Sequence, residues 1–202
     1  MESSAYKIVN DTIILERELT ELDIFVKDFL EILKKYTSYL IVSGYVSIST
    51  GRTRGTEDVD CLIPTMPKEK LEELFNDLLK NNFWCYQAEV FADLKKYLSS
   101  KDNIRFARIN ELFPNMELIF VDKSKPLQLF ELKNPQKIKI KDFLFMIPPI
   151  EFEIAYKENI LAGKKDILDA KHLREFFLEY ISEEKLRSFA KLIKETKNEK
   201  SI

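Results

Sequence analysis

Glycine is scarce, with four in 202 residues, and histidine and tryptophan occur once each. A single histidine, His172, excludes a histidine-rich metal centre, which needs several imidazoles. The two cysteines, Cys61 and Cys85, show no CxxC spacing, so they read as small core residues in a reducing cytoplasm. Long apolar runs are missing: "FLFMIPPI" at 143–150 falls far short of the ~20 residues of a membrane helix. The opening residues, "MESSAYKIVNDTIILERE", have no basic stretch followed by an apolar one, so no secretory signal is expected. Neither sign of charge dominates, with 32 basic and 34 acidic residues, which argues against broad, sequence-blind nucleic-acid binding. No repeat, low-complexity tract or Gly/Ser linker divides the chain.

What is present describes a soluble globular chain with mixed α and β segments. "AYKIVN" and "TIILE" form a short extended start, and "ELTELDIFVKDFLEILKKY" carries apolar residues at helical spacing over about 18–36. "YLIVS" (39–43) reads as a buried strand, "DVDCLIP" (58–64) as another, and "PKEKLEELFNDLLKN" as a helix opened by Pro67. "NIRFARI", "NMELIFV" and "KIKIKDFLFMI" supply further strands. After Pro148–Pro149, three helical segments close the chain, the last with Ser182 as a cap. The outline is an α+β portion over 1–148 and an all-helical region over 149–202. Trp84, Phe143 and Phe145 are expected in the core.

Three of the four glycines fall inside one stretch, "SGYVSISTGRTRGTEDVDCLIP" at 43–64. In a strand, side chains two apart share a face, with Cα atoms roughly 6.5 Å apart. Asp58 and Asp60 therefore converge while Val59, Cys61 and Ile63 turn to the core. Paired carboxylates suit a hard divalent cation such as Mg²⁺ and repel each other without one. Alone, Asp-X-Asp is equally the pattern of a solvated strand end. Ahead of it, Ser43–Gly44 allows close backbone approach to an anion, Arg52 and Arg54 can swing to the same place, and Thr56 can brace the turn. "YVSIST" conflicts with this arrangement: its propensity favours a strand, whereas a phosphate site would want a helix there.

In order and spacing, "IVSG", Gly51, Arg54, Thr56, Asp58 and Asp60 resemble the signature of the nucleotidyltransferase superfamily. This is the DNA polymerase beta-like fold, with its minimal and abortive-infection toxin branches. Ser43 stands where a first glycine is usual. The resemblance implies a mixed β-sheet flanked by helices, with the C-terminal helices completing a nucleotide site. It also implies a third carboxylate from a later strand. Glu117 of "NMELIFV" is the best match, one methylene longer than the usual aspartate, with Asp122 a second candidate. "AYKENILAGKKDILDAKHL" resembles the family's later segment at Lys157, Lys165, Asp166 and Asp169, which implies lysines meeting a triphosphate as point charges and Asp166 orienting one of them.

On that resemblance the chain would transfer a nucleoside monophosphate from a nucleoside triphosphate to an acceptor hydroxyl. Asp58, Asp60 and Glu117 would hold Mg²⁺ or Mn²⁺, and Ser43, Gly44, Arg54, Thr56, Lys157 and Lys165 would contact the nucleotide. RNA, a protein and a small molecule remain open as acceptor. The alternative is a catalytically silent nucleotide-binding or toxin–antitoxin module of the same fold, with an antitoxin or regulator as partner.

Overall fold

The computed structural model describes residues 5–199 apart from 57, 95–96, 99 and 101. Strands β1 (Tyr6–Val9) and β2 (Thr12–Leu15) form an antiparallel hairpin. Its two turn residues, Asn10 and Asp11, both have positive φ, as a tight twist-matched turn requires. Helix α1 (Glu21–Leu33) starts at Thr20, whose hydroxyl accepts from the Asp23 N–H while Asp23 accepts from the Thr20 N–H. It buries Phe25, Val26, Phe29, Leu30 and Leu33, the i, i+4 stripe visible in the sequence.

Strand β3 (Leu40–Ile41) leads into helix α2 (Gly44–Ser49), followed by β4 (Asp58–Pro64), helix α3 (Lys68–Lys80) and β5 (Phe83–Cys85). Then come β6 (Ile104–Arg108), β7 (Asn115–Val121), helix α4 (Pro126–Lys133), and the antiparallel pair β8 (Gln136–Ile140) and β9 (Phe143–Ile147). The chain ends in α5 (Ile150–Tyr156), a π turn (Lys157–Leu161), α6 (Lys164–Phe176) and α7 (Glu183–Glu199). The described strands make two mixed sheets, ordered β1-β2-β8-β9 and β3-β4-β7-β6-β5. The fold is therefore α+β, with mixed sheets flanked by helices. One continuous buried cluster runs from Ile13 to Ile193, so the C-terminal helices pack into the same core as the sheets. Both cysteines are buried and free.

Two elements escape the sequence pattern for physical reasons. Strand β5 has only three residues, too few to show alternation. Helix α4 buries only Leu127 and Glu131, and a helix that seats an acid in the interior has no apolar stripe to read.

The segment "YVSIST" is helical despite its β-branched composition, because tertiary contacts outweigh propensity. Tyr45 and Val46 are buried, and the Tyr45 hydroxyl donates to Asp23 Oδ1 at 2.6 Å. Arg17 clamps the same carboxylate through two nitrogens, at 2.6 and 2.9 Å, while its Nε donates to the Ser49 carbonyl at 2.7 Å. Asp23 thus ties both ends of α2 to α1, and α2 stands next to the acidic strand β4. Tyr45→Phe removes one hydrogen bond to a buried carboxylate that keeps its other donors. Urea unfolding should show a loss of about 1–2 kcal/mol with an unchanged m-value.

Candidate active site

Strands β4 and β7 run parallel with Asp60 opposite Glu117 and Asp58 opposite Asn115. That register brings oxygens of Asp58, Asp60 and Glu117 within 4.8 Å of one another. The neighbouring residues Val59, Cys61, Met116 and Leu118 are buried at 2% exposure or less, so the pleat fixes which side the acids take. Glu117 is held from β6 and the residue just before it: Arg105 Nη2 donates to Oε2 at 2.8 Å, and Asn103 Nδ2 donates to Oε1 at 2.7 Å. Asp122 lies beyond the far end of β7, where its carboxylate accepts from the Ser124 N–H, and is no part of the cluster.

Burial and crowding both bear on the protonation of Asp60. Burial pushes its carboxyl up to about 6, with Asp58 and then Glu117 and Glu153 adding to the shift, against hydrogen bonding from the Ser43 side chain. Ser43 has φ 64° and ψ −130°, a conformation costly for any residue with a Cβ, which is why glycine suits this position. The Ser43 backbone N–H is directed at Glu153.

The basic residues are arranged differently from their sequence positions. Arg54 lies flat on Gly44: a Cβ there would come within 3.0 Å of its Nη2. Its Nη1 donates to Asp169 Oδ2 at 2.6 Å, and Arg52 pairs with the other Asp169 oxygen. Lys157 is fully buried, with Nζ 3.2 Å from Asp169 and 3.1 Å from Glu153. Its ammonium is a shared counterion for two buried carboxylates rather than an open charge. Thr56 donates to the Asp58 carbonyl at 2.7 Å and so braces the entry to β4. Lys165 is exposed on α6, apart from this knot except that its carbonyl accepts from Arg52 at 3.5 Å. Asp166 closes over Gly163 at the start of α6. His172 shares a hydrogen bond with the Thr50 hydroxyl at 3.0 Å.

Sequence reasoning passes over Glu131 and Glu153, both buried. Glu153 carries a signal, since apolar residues flank it in its helix and a buried acid calls for a partner or ligand, whereas the helix of Glu131 has no apolar run to mark it.

No family model matches the chain, and no curated protein does. Among solved structures it is similar to the crystal structure of an antigenic nucleotidyltransferase-like protein from Paracoccidioides brasiliensis. The two share 16% identity at a TM-score of 0.49, over 87% of this chain and 89% of that one. What the site can do follows from its own geometry.

That geometry has a measurable consequence. A carboxyl whose pKa is raised by folding favours the folded state fully below its unfolded value of 3.8, and the contribution is lost as pH rises through about 6. Above pH 6 the charged Asp60 costs about 1–3 kcal/mol. Asp60→Asn has no such proton to lose. In chemical unfolding without divalent metal, the variant should gain stability relative to the native protein between pH 4 and 6 and hold that gain above. A variant less stable at pH 7 would show the cluster to be satisfied without a cation.

Proposed function

We propose that the chain is a metal-dependent nucleotidyltransferase, which moves a nucleoside monophosphate from a nucleoside triphosphate to an acceptor hydroxyl and releases pyrophosphate. One observation carries the reading: three carboxylates from two paired strands meet within 4.8 Å, with the guanidinium of Arg54 and the Ser43–Gly44 bend beside them. The donors are all carboxylate oxygens, the set a hard divalent ion prefers. Asp60 is compatible with the fit: burial first, and then the charge of Asp58, push its carboxyl toward protonation, and a cation would offset both.

Asp58, Asp60 and Glu117 would hold Mg²⁺ or Mn²⁺. When bound, such ions offset triphosphate charge and make an acceptor hydroxyl easier to deprotonate. The chain's own residues supply position. Arg105 and Asn103 fix the Glu117 carboxylate in line with Asp60, and Thr56 fixes the strand that carries Asp58. Arg54, anchored by Asp169, offers its remaining guanidinium N–H groups at the Gly44 backbone, where phosphate oxygens would lie. In the reaction, the acceptor oxygen bonds to the α-phosphorus as the bond to the bridging oxygen of pyrophosphate breaks. The hydroxyl proton passes to solvent.

The test is transfer of an α-labelled nucleotide, offered as each of the four bases to RNA, protein and aminated-sugar acceptors. Label should move only with Mg²⁺ or Mn²⁺, and Asp60→Asn should lower the rate at least about a hundredfold. Nucleotide binding with no transfer to any acceptor, by a folded native protein, would instead identify a catalytically silent module.

A further inference from the structure

Beside Asp60, a cavity of about 170 Å³ opens between the β4–β7 sheet, α4 and α5. Ser43 and Asp60 line it at one end, so it adjoins the carboxylate cluster. Val42, Leu62, Ile119 and Leu161 give it apolar walls, and Gln128, Glu131 and Tyr156 give it a hydrogen-bonding edge. Such a volume takes one flat ring rather than a whole nucleotide, since sites for complete drug-sized ligands are about 300 Å³ or more.

Its polar groups are unevenly satisfied. Gln128 Nε2 donates to the Tyr156 hydroxyl at 2.9 Å. Glu153 is balanced by Lys157 at 3.1 Å. The Glu131 side chain is only 3% exposed, faces this cavity, and has no hydrogen-bond or ion-pair partner among the described residues. Burial, then the charge of Glu153, pushes its carboxyl well above the usual range, which favours the protonated form at the cavity. A neutral acid presents one donor and one acceptor side by side, and leaving both unmade is costly.

We propose that this cavity seats the nucleobase and that Glu131 is the residue that hydrogen-bonds the base edge, between apolar walls that sandwich the ring. The inference rests on the nucleotidyltransferase reading and assigns a specificity-determining residue within it. Nucleobases carry an adjacent donor and acceptor on an otherwise flat, largely apolar ring, which matches both parts of the cavity. Because Asp60 and Ser43 line the cavity, a triphosphate leaving it beside them would meet the carboxylate cluster.

The experiment measures, with Mn²⁺, the affinity of non-hydrolysable nucleoside triphosphates and of inorganic tripolyphosphate. It compares native protein, Glu131→Leu and Glu131→Gln, each first shown folded by urea unfolding. Native protein should bind at least one nucleotide better than tripolyphosphate. Glu131→Leu should weaken that nucleotide about tenfold or more and leave tripolyphosphate unchanged. Glu131→Gln, which keeps one donor and one acceptor, should stay within a few-fold of native. Equal native affinity for nucleotide and tripolyphosphate overturns the base cavity, as does a Glu131→Leu variant that binds nucleotide undiminished or loses both ligands alike. No binding of either ligand by native protein overturns the nucleotidyltransferase reading itself.

Discussion

Mutual repulsion among Asp58, Asp60 and Glu117 is the constraint around which the rest of the molecule is arranged. At an effective dielectric near 20, two unit charges 4.8 Å apart repel by about 3.5 kcal/mol. Arg105 offsets part of the charge at Glu117, and partial protonation relieves Asp60, whose carboxyl sits near 6. A divalent cation held by the three carboxylates, as proposed, would relieve the rest. The parallel register of β4 and β7 is what makes the acids neighbours, and Thr56, Arg105 and Asn103 hold them there.

A second polar knot adjoins the first through Ser43–Gly44 and Glu153. Asp169 gathers Arg52, Arg54 and Lys157, three cations from two distant parts of the chain. Removing the carboxylate from such a buried group strands the charges, which is why these knots are rigid. Here the rigidity has a use, because it sets Arg54 against the Gly44 backbone. Lys157 and Asp169 lie on the C-terminal helical region, so that region shapes the site electrostatically as well as through the shared core.

Much of the site could be read from residue types. Asp58 and Asp60 follow from period-two geometry, and Glu117 from an acid in an otherwise apolar run matched to a family pattern. Thr56 as a brace follows from its place ahead of the strand. The burial of Lys157 could not be read this way, because its two carboxylate partners come from one turn earlier and from the next helix. Glu131 was hidden for a related reason: its helix has no apolar stripe, so nothing in the local pattern distinguishes an inward acid from an outward one. The helical state of "YVSIST" was legible only as a conflict, resolved by Tyr45 and Arg17 reaching Asp23 across the fold. Local pattern carries strands and amphipathic helices, whereas partners drawn from distant segments decide the electrostatics.

The most direct measurement is anomalous diffraction from crystals soaked in Mn²⁺, with no nucleotide present. The account predicts a peak coordinated by Asp58, Asp60 and Glu117, absent from Asp60→Asn crystals. Ordered density for these three side chains with no manganese among them, at concentrations that fill other sites, would contradict it.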